Sequence, residues 1–572
     1  MAWLLTSALL AGSLGALTNY RQYAIDYLFA ETYCYQAVRT NIPNLDSNAD
    51  TKINCFSVSP TSSKFTSVFS ASKDSKVVDA DAGYVIPGLW DGHGHLLQYG
   101  EFLNSVDLFG SKSMDEIRAR VRGYIETHPG AGTPEEWVRG VGWDQMALDA
   151  MPTADDLTTD ESLKDLYIML DRVDVHCIWV SQAVLNLLPA DMPDIPGGEI
   201  VRDPGRGVFC DNAMEFVTAY WPKPDEKKKT AHVKSAMTKL NEYGLVGMHD
   251  AGVTPRNLEL YKKLAGNGNE DWTVRVYAMV ECLERNTFCP EGAERYRSSD
   301  GFLSIQSVKI FADGALGSWG SAMIEPYTDR PDVSGSLLIN ATKLTEQAVL
   351  WARAGYQVNI HAIGDLANRY TIDAMTAALQ SVCPGQLSLA DCQARRRFRI
   401  EHSQIIHEED QDRMHAIGII PSIQPTHATS DMAYAEKRLG EERLRAEAYR
   451  MRSFLDINPV LGSDFPVEPA DPFQGIYAAV ARKSPHTGLG AHGSKDGWHV
   501  EEALTLDQAI RGFTEGPAYG AFMEGNTGTI APGAYADWVV LDTPLEDMDI
   551  DELRSVRVRE TWVAGKRVYS RS

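Results

Sequence analysis

The sequence predicts an α/β chain closed into a (β/α)8 TIM-type barrel. Three observations lead there: eight short apolar, β-branched runs, helix-like segments between most of them, and ionisable residues gathered at the C-terminal ends of the runs. In order, the runs are "YVIPGLWDGHGH" (84–95), "GLVGMHDAGV" (244–253), "TVRVYAMV" (273–280), "SVKIFADG" (307–314), "YQVNIHAIGD" (356–365), "RFRIEHSQ" (397–404), "IGIIPSIQPTH" (417–427) and "INPVLGSDFP" (457–466). Each is a short apolar stretch closed by turn residues, the pattern of a buried strand. "LTEQAVLWARAG" precedes the fifth run and "LANRYTIDAMTAALQSV" follows it, both at helical spacing. Alternating strands and helices make a parallel sheet, and eight units fit a closed barrel. An open doubly wound sheet would instead predict a Gly-rich phosphate loop after the first strand, and the sequence has none there.

Barrel sites form where strands end. His93 and His95 end the first run, Lys309 lies in the fourth, His361 ends the fifth, His402 the sixth and Asp464 the eighth. Residues i and i+2 of a strand project to the same side, so the two histidines of "HGH" can share one ion, and Gly92 and Gly94 let the backbone approach closely. Imidazole and carboxylate suit a borderline divalent ion that activates water. An ammonium is repelled by such a site, which makes Lys309 the odd member. It fits as a carbamate formed with CO2; the alternative is an ordinary lysine paired with Asp313. His249-Asp250 at the second strand end is a candidate support for the site, or a plain structural pair.

At 572 residues the chain exceeds one compact core, which predicts one large domain and a smaller one. A net charge of -24 with no basic run excludes nucleic acid as a partner. The stretch 1–20 is an apolar leader, read as a signal peptide or an anchor to a membrane. Eight cysteines, with Cys282/Cys289 and Cys383/Cys392 close enough to bridge locally, and one sequon at Asn340-Ala341-Thr342 predict the secretory pathway, secreted or membrane-anchored. Free buried thiols in a cytoplasmic enzyme are the alternative.

"VIPGLWDGHGHL", "VKIFADGALGS", "NIHAIGDLAN", "RIEHSQ", "GSDFPVEPADPF" and the tail "GTIAPGAYADWVVLD" with "VRETWVAGKRVY" resemble the amidohydrolase superfamily, specifically amidohydrolase family 3, the group with N-substituted formamide deformylase. The resemblance implies two divalent ions, commonly zinc. His93, His95 and Asp464 would hold one, His361 and His402 the other, with carboxylated Lys309 between them and Asp464 as catalytic base. It also implies a small β-sandwich from residues 21–84 and 516–572, flanking a barrel over 85–515, although the N-terminal part here is longer than usual and cysteine-bearing. The insertion at about 103–240 would form part of the pocket, where Trp143, His176 and Arg202, with Asp313 and His427 of the barrel, are candidate substrate contacts. For Trp143 a core role is the alternative. The implied activity is hydrolysis of an amide, N-acyl or N-formyl C–N bond in a small molecule by a metal-bound hydroxide. A non-hydrolytic isomerase or cyclase on the same site, or an inactive binding protein, are the alternatives, and a homodimer is a candidate assembly.

Overall fold

The computed structural model describes residues 29–42, 53–71, 82–266 and 270–572. The leader, 1–20, lies outside the described residues. Among the described residues no helix is long and apolar enough to cross a membrane.

Eight parallel strands follow one another around a nearly closed sheet: β1 (Leu89–Gly94), β2 (Leu245–Val253), β3 (Arg275–Val280), β4 (Leu303–Phe311), β5 (Gln357–Ala362), β6 (Arg399–His402), β7 (Ile420–Ile423) and β8 (Val460–Leu461). Each overlaps one of the eight runs. Nearly all their residues are buried, as expected of strands covered on both faces, and this is why the runs are almost continuously apolar. Helices cover the outside. Ala341–Arg353, before β5, buries Leu344, Ala348, Trp351 and Ala352, a stripe at helical spacing, and Asn340 caps it by accepting the Lys343 N–H.

Two runs differ from their expected extent. The first breaks at Pro87-Gly88: Tyr84–Pro87 pairs antiparallel with Trp538–Leu541 in another sheet, and β1 begins only at Leu89. Gly88 marks the crossing, because a Cβ there would stand 2.5 Å from Val246. The fourth begins at Leu303, earlier than the run, and carries the antiparallel strand Tyr296–Arg297.

The seam between β1 and β8 is short, and side chains close it. A Cβ at position 92 would lie 2.2 Å from Val460 Cγ1, so only glycine lets the two strands meet. The Asp91 carboxylate accepts the Ser463 hydroxyl at 2.6 Å and the His93 N–H at 2.9 Å, while the Asp464 N–H donates to the His93 carbonyl at 2.7 Å.

Two smaller sheets pack as the expected sandwich. One holds Glu31–Cys34, Cys55–Val58 and Phe65–Phe69; the other holds Ala37–Val38, Tyr84–Pro87, Trp538–Leu541, Glu560–Val563 and Lys566–Ser570. Phe56, Phe65, Val85, Trp538 and Val540 share their core.

The insertion carries its own six-stranded mixed sheet, in the order 198–200, 208–211, 177–180, 168–172, 138–143, 106–107. Trp143, Leu170 and Trp179 fill one of its hydrophobic clusters and Trp137, Met169 and Phe209 the other. All eight cysteines are bridged: Cys282–Cys289 and Cys383–Cys392 as the spacing suggested, and Cys34–Cys55 and Cys177–Cys210 across directly opposed strand positions.

Candidate metal centre

A cavity of about 810 Å³ opens at the C-terminal ends of the strands, and His93, His95, Lys309, His361, His402 and Asp464 all line it. Positive backbone φ at His402 (77°), Ser403 (45°) and Asp464 (64°) holds the chain in the left-handed region at two of these positions. For non-glycine residues this conformation is costly, and such strain concentrates at functional sites.

His93 is oriented from beneath. Its Nδ1–H donates to Glu401 Oε2 at 2.6 Å, and Arg399 clamps Glu401 with two bonds of 2.9 Å. That leaves His93 Nε2, with its lone pair, 3.2 Å from Lys309 Nζ and 3.5 Å from Asp464 Oδ1. His95 Nε2 lies 3.1 Å from the same oxygen. Burial, aided by the Lys309 charge, brings the His93 imidazole down to about 4, and burial brings His361 to about 4 as well. Burial works to raise the Glu401 and Asp464 carboxyls, but Arg399 and His93 around Glu401, and His93, His95 and His427 around Asp464, hold both below the usual carboxylate range. Neutral imidazoles beside ionised carboxylates are the protonation states a metal ion needs.

Lys309 is 4% exposed, and burial pulls its ammonium down to about 8. Among the described residues no carboxylate oxygen comes within 4.0 Å of it. The alternative pairing with Asp313 is therefore not formed. The Asp313 carboxylate instead accepts the N–H groups of Ala322, Ile363 and Gly364 at 2.8 to 3.0 Å and lies 3.3 Å from His361 Nδ1. It is fully buried behind His361 and outside the cavity lining, so it orients that ring and does not meet substrate.

Three more expected contacts, Trp143, Arg202 and His427, are also absent from the cavity lining. Trp143 is buried in the insertion's core, where its Nε1–H donates to the Leu170 carbonyl and its ring meets Trp179 edge-on. Arg202 follows the outermost strand of that sheet and is held by Asp194 at 2.8 Å. His176 does reach the cavity, its Nδ1 bonded to Asp211 at 2.7 Å and its ring centroid 6.0 Å from that of His361. His427 stands beside the site, Nε2 3.7 Å from Asp464 Oδ2. His249 touches Arg399 and, through Nε2, the Pro517 carbonyl, so it acts on the site only through the Arg399–Glu401 pair.

Several residues were not anticipated. Arg399 and Glu401 stand two apart in an apolar strand, a spacing that places both on one face and could have singled them out. The cavity wall also takes Arg139, Glu101, Asp171 and Trp221; Arg139 joins Glu101 and Asp171 at 2.5 Å each and stacks on Trp221 at 4.3 Å. No local pattern links those segments.

The donors fit a divalent ion. The nitrogen and oxygen atoms of His93, His95 and Asp464 lie within 4.8 Å of one another, and so do those of His402, His427 and Asp464. His402 Nδ1 and His427 Nε2 are buried without a hydrogen-bond partner, which is costly unless another group meets them.

Known proteins resemble this chain over most of its length. Bacillus subtilis YtcJ is 28% identical over 519 residues, 88% of this chain and 92% of that one. The N-substituted formamide deformylase of Arthrobacter pascens is 27% identical over 523 residues, 88% and 91% of the two chains. The crystal structure of a metal-dependent hydrolase from Pyrococcus furiosus superposes with a TM-score of 0.65 at 25% identity, covering 86% of this chain and 96% of the other. The model of the amidohydrolase family matches residues 76–569, which include the whole barrel and every cavity donor named above, and the chain belongs to that family.

Proposed function

We propose that this hydrolase cleaves a C–N bond of amide, N-acyl or N-formyl type in a small molecule, using two divalent ions. The observation that carries the reading is that the buried imidazoles of His93, His361 and His402, all lowered by burial, line with His95 and the ionised Asp464 carboxylate one cavity large enough for a small substrate. His93, His95 and Asp464 would hold one ion; His361, His402 and Lys309, carried as a carbamate, would hold the other. When bound, such ions, zinc by the character of the donors, supply an acidified water as nucleophile and a Lewis acid for the carbonyl oxygen.

The chain's own groups do the rest. Asp464 takes a proton from the attacking water at its carboxylate and returns it to the departing nitrogen. Glu401 keeps His93 in the tautomer that presents Nε2 to the cavity. His176, fixed by Asp211, stands across the cavity near His361 and orients the substrate. The formamide-cleaving relative supports the choice of a C–N bond. The same proposal places the chain in the secretory pathway, on the support of four disulfides and an exposed Asn340 at the sequon.

The test is metal analysis of protein purified without chelator, followed by N-formyl, N-acyl and cyclic amides assayed before and after metal removal. Turnover of one class that disappears with the metal and returns with zinc is expected. Fewer than one ion per chain, or turnover indifferent to chelation, refutes the proposal.

A further inference from the structure

Asp464 faces imidazoles on both sides. Oδ1 looks towards His93 and His95, at 3.5 and 3.1 Å, whereas Oδ2 looks towards His427 Nε2 at 3.7 Å. A separation of 3.7 Å is too long for a hydrogen bond. Two ligands of one tetrahedral ion, with bonds of about 2.0–2.1 Å, stand roughly 3.4 Å apart, much closer to what is found.

Three further observations concern this second side. His402 is 6% exposed, and its Nδ1 is buried without a partner, as is His427 Nε2. The His402 and His427 rings lie nearly parallel, 5.7 Å apart, and the donor atoms of His402, His427 and Asp464 fall within 4.8 Å of one another. His427 also does not line the main cavity. It lines a small recess shared with His402, Gln404, Gln424 and Arg450, whose guanidinium is engaged by Glu502 and Ser453. Two unpartnered imidazole nitrogens beside the Asp464 carboxylate suit a cation.

We infer that His427 is a further donor to the second of the two ions proposed above, beside His402, on the Oδ2 side of Asp464 and next to the ion at His93, His95 and Asp464. Pro425 opens the short helix Pro425–Asp431 directly after β7, and this places His427 one turn beyond the strand end, on the side of Asp464 away from His95. The inference rests on the metal-dependent reading above and adds His427 to its donors.

The experiment counts ions. Chelator-stripped full-length protein is titrated with Zn²⁺ for stoichiometry and with ¹¹³Cd²⁺ for the number of NMR resonances. His427→Phe keeps a ring to stack on His402 but has no donor; His427→Asp restores an oxygen donor. His427→Phe is expected to bind one ion fewer than wild type and to lack one cadmium resonance, and His427→Asp to regain both. Equal uptake by wild type and His427→Phe overturns the inference and leaves the hydrolase proposal standing, since the His93–His95 ion is still counted. A wild type that takes up no ion removes both. Circular dichroism on each sample ensures that folded protein is compared.

Discussion

Glu401→Gln isolates the support beneath His93. Glu401 and Arg399 are both fully buried, and the guanidinium gives Glu401 two bonds of 2.9 Å, with the Gly92 carbonyl and Ser422 hydroxyl, at 3.0 Å, and His249 Nδ1 as its other acceptors. Removing one partner of a buried ion pair typically costs 3–5 kcal/mol, because the other charge is left uncompensated. Glutamine still offers Arg399 an amide oxygen, so about 3 kcal/mol is expected, roughly a hundredfold in the folding equilibrium. The second effect falls on the metal. Loss of a carboxylate behind a ligating histidine typically weakens metal binding 10- to 100-fold. Urea titration measures the first quantity and competition with a chromophoric chelator the second. Adding Arg399→Met to the variant removes the stranded charge, so the double variant should recover stability but not metal affinity. A Glu401→Gln protein within about 1 kcal/mol of wild type, well under the expected cost, and within threefold in metal affinity, well short of the expected loss, refutes the assigned role of the pair.

Asp464→Asn removes the base while keeping one oxygen, and kcat should fall at least ~10²-fold with a much smaller change in KM; a variant with its metal bound that turns over within about threefold of wild type shows that Asp464 is not the base. Lys309→Ala should abolish both turnover and the carbamate signal seen by ¹³C NMR in ¹³C-bicarbonate, with partial rescue by short carboxylates; full unrescued activity would make Lys309 merely structural. Replacing Cys177 and Cys210 by serine opens a cross-link 33 residues apart in sequence and should cost roughly 3–4 kcal/mol, read as an earlier urea transition than wild type without reductant; an unchanged midpoint and slope show that the bridge contributes nothing.

The barrel was legible because a strand covered on both faces leaves a plain trace in sequence. All eight runs became strands, and the rule that barrel sites lie at strand ends placed His93, His95, Lys309, His361, His402 and Asp464 on one cavity. The insertion was opaque for the opposite reason. Its sheet orders its strands by pairings between distant segments, so the side chain of Trp143 turned into a core and Arg202 fell at an outer edge. Asp313 misled differently: the "ADG" turn puts its carboxylate under three backbone N–H groups, a destination set by the loops after β4 and β5. Glu401 carried a readable sign, its two-residue spacing from Arg399. The Arg139–Glu101–Asp171 contact carried none, because its members come from three separate segments.

The seam between β1 and β8 also sets when the centre can exist. His95 and Asp464 are 369 residues apart, and nothing shorter than the full circuit of strands brings them together. With β8 only two residues long, few ladder hydrogen bonds hold the first strand to the last. An ion bound by both strands is therefore a rivet driven through the joint after the ring has closed: it cannot seat on a half-built barrel, and once seated it resists opening at the weakest join. Metal uptake during refolding becomes a clock for topological completion, lagging the appearance of helix and sheet, and metal release on unfolding should be the earliest event of the barrel's disassembly.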